Sequence, residues 1–566
     1  MEIERLLFEN AMRASLFGII AFAYFLYRRY TRISVSHIPG PDPESFILGN
    51  LPELFQSQVG VPDFKWKQQF GDVVRIKGPF GEDRLFISDP KAMQYIFHTA
   101  GYGFLKWPER TEISRVLMGR GLLWADGVDC VYFFPQTLIY QLRCLNSSYD
   151  HTDAIHKRQR KVMLPGFGAP ECKAFVPIFR KAASALVEQW NDLLAIDQSV
   201  ELNVASWLSR ATMDSLGEAA FDYHFGALEN KENELMKAYF GLMSDTLGQP
   251  SRQAIFTQTV MPVWYLRLMS RYSNTRRMVH ARYTAELAND IAQSLIDMKS
   301  EALLYGKENK DILSLLVKAN ASENPTSRLT DEEMLAQMRT LLLAGHETSS
   351  TSLVWCILEL SRHPEVQSKL REEIRATERR LNGKQLTATD FDNMPYLAAV
   401  LKESMRFQPA VYQNYRMAAH DTILPLSKPI TTTTGETISH LPIGKGTKLV
   451  LSIAAYNRNK EVFGEDADVY NPDRWFRISE KKGPTVGVYG NLLTFAGGVR
   501  TCIGWRFALY EMQSLLVEII NNFELGPTKE LERLRREACL VMLPTLEGEE
   551  IKGENLPLRV SIAARD

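Results

Sequence analysis

The stretch Phe495-Ala-Gly-Gly-Val-Arg500-Thr-Cys502-Ile-Gly504 decides how this chain is read. Its glycines let the backbone pass close to a flat ligand. A helical pattern, Trp505 to Asn521, opens just after Cys502, and the amides and dipole at a helix start favour the thiolate form of a cysteine. Arg500 stands two residues earlier, placed to meet an anionic group on the same ligand. Taken alone, the stretch reads equally well as a glycine-rich turn before a helix that contains an ordinary cysteine.

Three further motifs lie upstream. Glu403-Ser-Met-Arg406 places an acid and a base three apart on a helix, which by itself is a solvated surface pair. Asn471-Pro-Asp-Arg474-Trp475 adds a second arginine. Ala344-Gly-His-Glu347-Thr348 puts an acid and a hydroxyl inside an apolar helix, whose start is marked by the capping box Thr330-Asp-Glu-Glu333. Burying such groups unpaired costs a few kcal/mol. Gly345 is expected to loosen the helix there, and hydroxyl residues run from Thr348 to Ser352. Taken alone, the pattern reads either as a polar groove in the helix or as a kinked helix with satisfied hydroxyls.

Together these motifs resemble the cytochrome P-450 family, whose haem loop is F-x-x-G-x-R-x-C-x-G. All five fixed positions match, in Phe495, Gly498, Arg500, Cys502 and Gly504, and the other three motifs follow the family order. The resemblance covers nearly the whole chain. It implies a mainly α fold with small β-sheets and a thiolate-ligated haem b, with Cys502 as the metal ligand. Phe495 and Arg500 belong to the cofactor-binding loop. Glu403, Arg406 and Arg474 become a buried structural triad that fixes the Cys loop. Glu347 takes part in proton delivery and Thr348 in oxygen activation. Arg416, downstream of Pro409, stands where many members bind a haem propionate. The W-x-x-x-R of the family is replaced here by His156-Lys-Arg-Gln-Arg160, a substitution familiar among fungal members. His156 and Arg160 are assigned to propionates, which leaves Lys157, Arg158 and Lys161 exposed for an acidic reductase.

Composition narrows the alternatives. Of 566 residues, 45% are hydrophobic and 23% charged, which suits a globular protein with a large core. A formal net charge of −1 and the lack of a basic tail argue against nucleic acid as a partner. Cys130, Cys144, Cys172, Cys356, Cys502 and Cys539 are scattered, with no C-x-x-C pair, so a disulfide framework or zinc site is not expected. A length prior of about 150 residues per domain would give three or four domains, but no repeat or low-complexity linker follows residue 45. One domain, residues 33–566, is expected, with a hairpin in residues 63–100, mainly helix over 171–406, and short strands after 409.

Residues 1–32 are expected to form an N-terminal membrane anchor. Ala14 to Tyr27 carry no charge, and Arg28, Arg29 and Arg32 follow, which places the remainder on the cytosolic side. His37-Ile-Pro-Gly-Pro-Asp-Pro43 cannot be helical and reads as a hinge. The leading function is a monooxygenase of the endoplasmic reticulum membrane. It takes NADPH electrons through a flavoprotein, NADPH-cytochrome P-450 reductase, with cytochrome b5 as an optional second donor. Its other partners are O2 and a hydrophobic small-molecule substrate. Pocket residues are expected in 102–126, before 256, on the 341–348 face and in Ala410 to Tyr415. A peroxide isomerase or dehydratase of the same fold is disfavoured by the intact Glu347-Thr348 pair. A haem-binding remnant is the non-enzymatic alternative.

Residues 128–152 interrupt this pattern. Similar members pass within a few residues from GLLWADG into HKRQRK, whereas here a segment with Cys130, Cys144 and an apolar centre intervenes. It is either an expanded loop over the pocket or translated intron, and its abruptness favours the second. Transcript sequencing is expected to find a message joining the codons near Gly127 to those near Asp153. Its shorter product should bind more haem per protein than the long chain. Finding only the long message, with a fully active protein, would make the segment a genuine lid.

Overall fold

Thr330 opens the longest helix among the described residues by closing the predicted capping box. Its hydroxyl accepts from Glu333 N at 3.2 Å, and Glu333 Oε2 accepts from Thr330 N at 2.9 Å. The computed structural model describes residues 33–125, 152–229, 233–239, 249–305, 310–321, 324, 328–477 and 483–565. The expected anchor, residues 1–32, and all of the unusual segment but Thr152 lie outside the described residues. Among the described residues, no helix is long and apolar enough to cross a membrane.

Among the described residues, the larger helices include α1 (Thr152–Met163), α2 (Val176–Leu194), α3 (Val204–Leu216), α4 (Arg276–Leu304), α5 (Asp331–Arg362), α6 (Pro364–Leu381), α7 (Pro395–Phe407) and α8 (Trp505–Asn522). The long α5 is buried along almost its full length and packs on α3, α4, α7 and α8. Pro364 opens α6 because proline fits the first turn of a helix but not its interior.

Among the described residues, twelve strands surround this body: β1 (Val73–Lys77), β2 (Asp83–Ile87), β3 (Phe104–Lys106), β4 (Ser199–Asn203), β5 (Gln413–Ala418), β6 (Thr422–Thr431), β7 (Thr437–Ile443), β8 (Lys448–Ser452), β9 (Phe523–Pro527), β10 (Leu534–Ala538), β11 (Met542–Leu546) and β12 (Pro557–Ile562). The expected hairpin is β1–β2, with Val73 opposite Ile87 and Lys77 opposite Asp83. The five-stranded sheet runs β1-β2-β8-β5-β3, the three-stranded one β4-β12-β9, and β6-β7 and β10-β11 pair separately. The parallel β2–β8 pair and the strand β4 inside the helical region were not legible, since each depends on partners far away in sequence.

Alternation along the strands splits the large sheet between two cores. Val73, Leu85, Ile87, Leu449 and Leu451 join the main helical core. Val74, Ile76, Phe86 and Val450 point the other way, onto Trp66 and Trp107. With both faces covered, the sheet holds β3 and β5 in fixed register, Lys106 opposite Arg416.

One expectation is corrected here. Gly345 does not loosen α5, which runs unbroken from Asp331 to Arg362. A Cβ at Gly345 would lie 2.7 Å from Leu216 Cδ1, so the glycine serves the close approach of α3.

Candidate active site

The Cys loop is shaped by its backbone. Cys502 N donates to Phe495 O at 2.9 Å, closing the loop across the glycines. Gly498 has φ +62, and a Cβ there would fall 1.8 Å from Phe97 O, so no side chain fits. Cys502 retains an accessible face although protein surrounds it densely enough for burial to push its thiol up. This combination places the sulfur on the wall of an interior space. The Gly504 N–H and the Arg160 charge oppose the upward shift without cancelling it, so the thiolate gains most from a bound metal cation.

Beneath this loop lies the triad. Glu403 and Arg406 are 0% exposed and Arg474 is 3% exposed. Arg406 Nε and Nη2 donate to Glu403 at 2.9 and 2.8 Å, and Arg474 Nε donates to the same carboxylate at 3.0 and 3.1 Å. Asn471 N and Trp475 Nε1 add donors at 2.8 and 3.1 Å. The remaining guanidinium N–H groups reach Asn457 O, Ala467 O and Val469 O from Arg406. From Arg474 they reach Phe463 O, Asp466 and Val469 O. Asn457 carries this rigidity to the Cys loop: its Oδ1 accepts from Leu493 N at 3.1 Å and its Nδ2 donates to Thr494 Oγ1 at 3.1 Å. Sequence reading missed Asn457, because a lone asparagine after a strand carries no signal.

On another side of the site, cations converge. His156 is 4% exposed and its imidazole is pushed down to about 3, by burial first and then by Arg500, Lys106, Arg160 and Arg416. Tyr102 OH lies 2.8 Å from His156 Nδ1, and Arg500 Cζ stands 5.0 Å over the Tyr102 ring. A neutral imidazole that accepts the Tyr102 hydroxyl at Nδ1 keeps its proton on Nε2, free to donate. Like charges gathered around a neutral histidine fit a ligand with two carboxylates, as the propionates of haem supply. Tyr102 and Lys106 were not singled out from sequence, since only the β3–β5 register brings them here.

One basic residue departs from expectation. Lys157 and Lys161 are exposed as predicted, but Arg158 is not free on the surface. It pairs with Glu333, with Nη1 2.9 Å from Oε2, and Gln159 Nε2 reaches Glu333 Oε1 at 3.0 Å. Burial would raise the Glu333 carboxyl, but Arg158 and the Thr330 N–H hold it below its ordinary value. The residue that caps α5 thus also ties α1 to it.

Within α5, partly accessible positions recur four apart at Ala344, Thr348 and Ser352. Thr348 Oγ1 donates to Ala344 O at 2.7 Å and Ser352 Oγ donates to Thr348 O at 2.8 Å. This stripe is the helix face turned to open space, whereas Glu347, only 3% exposed, lies beside it in packed protein. Of the expected pocket residues, Tyr415 instead packs its ring 4.9 Å from Trp107.

The profile of the cytochrome P450 family matches residues 145–549. The chain is 32% identical over 544 residues to cytochrome P450 monooxygenase 128 of Postia placenta, covering 92% of both chains. It is 31% identical over 538 residues to cytochrome P450 monooxygenase claQ of Ampulloclitocybe clavipes, again covering 92% of both. The chain belongs to the cytochrome P450 family and is a haem-dependent monooxygenase. Its cofactor is thiolate-ligated haem b.

Removing Glu403 would leave buried Arg406 without its counter-charge and Arg474 with Asp466 alone, a loss of about 3–5 kcal/mol. Glu403→Ala is expected to lower the denaturant midpoint and to purify with little haem, read as haem absorbance per protein. Wild-type stability and haem content would show that the triad does not support the loop.

Proposed function

We propose that this protein inserts one oxygen atom of O2 into a hydrophobic small molecule. Its electrons come from NADPH through a flavoprotein reductase, with cytochrome b5 as an optional second donor. The observation that carries the site assignment is Cys502: an accessible sulfur inside the protein, opposed by four cationic side chains around a neutral histidine. Cys502 is the iron ligand, and His156, Arg160, Arg416 and Arg500 hold the propionates.

Thiolate-ligated haem supplies dioxygen binding and O–O cleavage when bound. The residues of the chain do the rest. Glu403, Arg406 and Arg474 hold the sulfur's loop through Asn457. Thr348 presents its hydroxyl on the open face of α5, and Glu347 behind it provides a proton donor and acceptor in packed protein. The segments expected to line the pocket are mostly apolar in sequence, which favours apolar substrates.

A location at the endoplasmic reticulum membrane is part of the same reading, with residues 1–32 as anchor. It is supported by the charge-free run Ala14 to Tyr27 and its trailing arginines. Phe46, Ile47 and Phe80 are exposed on the globule, with the Phe46 and Phe80 rings 6.2 Å apart, an apolar patch suited to a lipid surface.

Two substitutions test the residue roles. Cys502→Ser should abolish the ferrous-carbonyl band typical of thiolate ligation, and retention of that band would refute the assignment. Thr348→Ala should keep ligand-induced spectral shifts while NADPH consumption is diverted several-fold into hydrogen peroxide. An unchanged yield of product per NADPH would show that another group manages the oxygen protons.

A further inference from the structure

A tryptophan offers one ring N–H and no choice of protonation. A neutral histidine has two ring nitrogens and a single proton to place on one of them. His156 stands where the family motif has tryptophan, so its grip on a carboxylate depends on which nitrogen carries that proton. The charged form, which would donate from both, is disfavoured here. Burial first, then Arg500, Lys106, Arg160 and Arg416, push the imidazole down to about 3. The position therefore needs a neighbour that selects one tautomer.

Tyr102 is placed to make that selection. Its hydroxyl lies 2.8 Å from His156 Nδ1, with the two rings 5.6 Å apart and inclined at 72°. Among the described residues, no hydrogen-bond partner engages His156 Nε2. A hydroxyl can donate or accept, and its surroundings decide which. A phenol oxygen shares lone-pair density with its ring, which weakens it as an acceptor and strengthens it as a donor. Two cations lie over the Tyr102 ring, Arg500 Cζ and Lys157 Nζ, each 5.0 Å from the centroid. Both draw that density further from the oxygen. The hydroxyl then gives its proton to Nδ1, and the imidazole keeps its own on Nε2. The opposite arrangement would turn a bare Nε2 lone pair toward an anionic carboxylate, which repels it.

The backbone holds Tyr102 in place from two sides. It sits in the turn Gly101–Gly103 ahead of β3. A Cβ at Gly101 would lie 2.7 Å from Val499 Cγ2, so this glycine lets the turn rest on the Cys loop, one residue before Arg500. At the other end of the turn, Gly103 O accepts from Ala419 N at 2.9 Å, just after β5.

We propose that Tyr102 is a positioning residue for the haem site: its hydroxyl donates to His156 Nδ1 and so keeps the Nε2–H tautomer, ready to donate to a propionate carboxylate. The proposal rests on the reading that His156 binds a propionate. Tyr102 acts only through His156, so its effect should vanish where position 156 has no tautomers to choose between.

Tyr102→Phe removes the hydroxyl and keeps the ring. In the full-length ferric protein without substrate, it should speed haem transfer to excess apomyoglobin several-fold. It should also shift the propionate bending bands of the resonance Raman spectrum in the same direction as His156→Phe. In a His156→Trp background, whose indole N–H donates without a tautomer, Tyr102→Phe should leave the transfer rate unchanged. A wild-type transfer rate and wild-type bands in Tyr102→Phe overturn the proposal. Equal acceleration in the His156→Trp background also overturns it, because the hydroxyl would then act by packing. If His156→Trp does not fold, the His156→Phe background takes its place, and further acceleration there by Tyr102→Phe overturns the proposal in the same way. His156→Phe also separates the two readings. A wild-type transfer rate in it refutes propionate binding by His156, whereas fast transfer there beside a wild-type rate in Tyr102→Phe refutes the tautomer selection alone.

Discussion

The carboxylate of Glu403 accepts from Arg406, Arg474, Trp475 and Asn471, and the site depends on that convergence. A lone buried carboxylate or guanidinium would be costly, and removing one member of such a network exposes the cost of the rest. Here every guanidinium N–H group of Arg406 and Arg474 has an acceptor, most of them carbonyls of the segment 457–469. The network therefore fixes backbone as well as side chains. Asn457 passes that order to Leu493 and Thr494, immediately before the loop that ends at Cys502.

Opposite this rigid floor stands α5, whose faces have different tasks. One stripe presents Thr348 to open space, and another admits α3 at Gly345. Between them, His346 and Glu347 lie buried, with His346 Nε2 3.0 Å from Glu347 Oε1. A single helix thus carries both a partly accessible hydroxyl stripe and a buried acid beside an imidazole. The capping glutamate Glu333 secures its start and, through Arg158 and Gln159, orients the helix that carries His156 and Arg160.

Local chemistry made much of this legible in advance. The capping box, the β1–β2 hairpin and the helix after Cys502 each rest on residues a few positions apart, whose propensities act before any tertiary contact forms. The ordered motifs around Glu347, Glu403, Arg474 and Cys502 likewise identified a haem-thiolate enzyme. Spacing could not say that Glu403 and Arg406 are buried, since the same pair suits a solvated face equally well.

The sequence by itself determined the family and the cofactor, because both are written in particular residues at short spacing. Tertiary structure alone decided which side chains gather from a distance. Tyr102 and Lys106 reach His156 and Arg416 only through strand register. Glu511 of α8 meets Ser215 of α3 only because helices far apart in sequence pack together. Gly345, read as a weak point in the helix, proved to be a site of close packing, since what a missing side chain is for depends on the neighbour that fills its space.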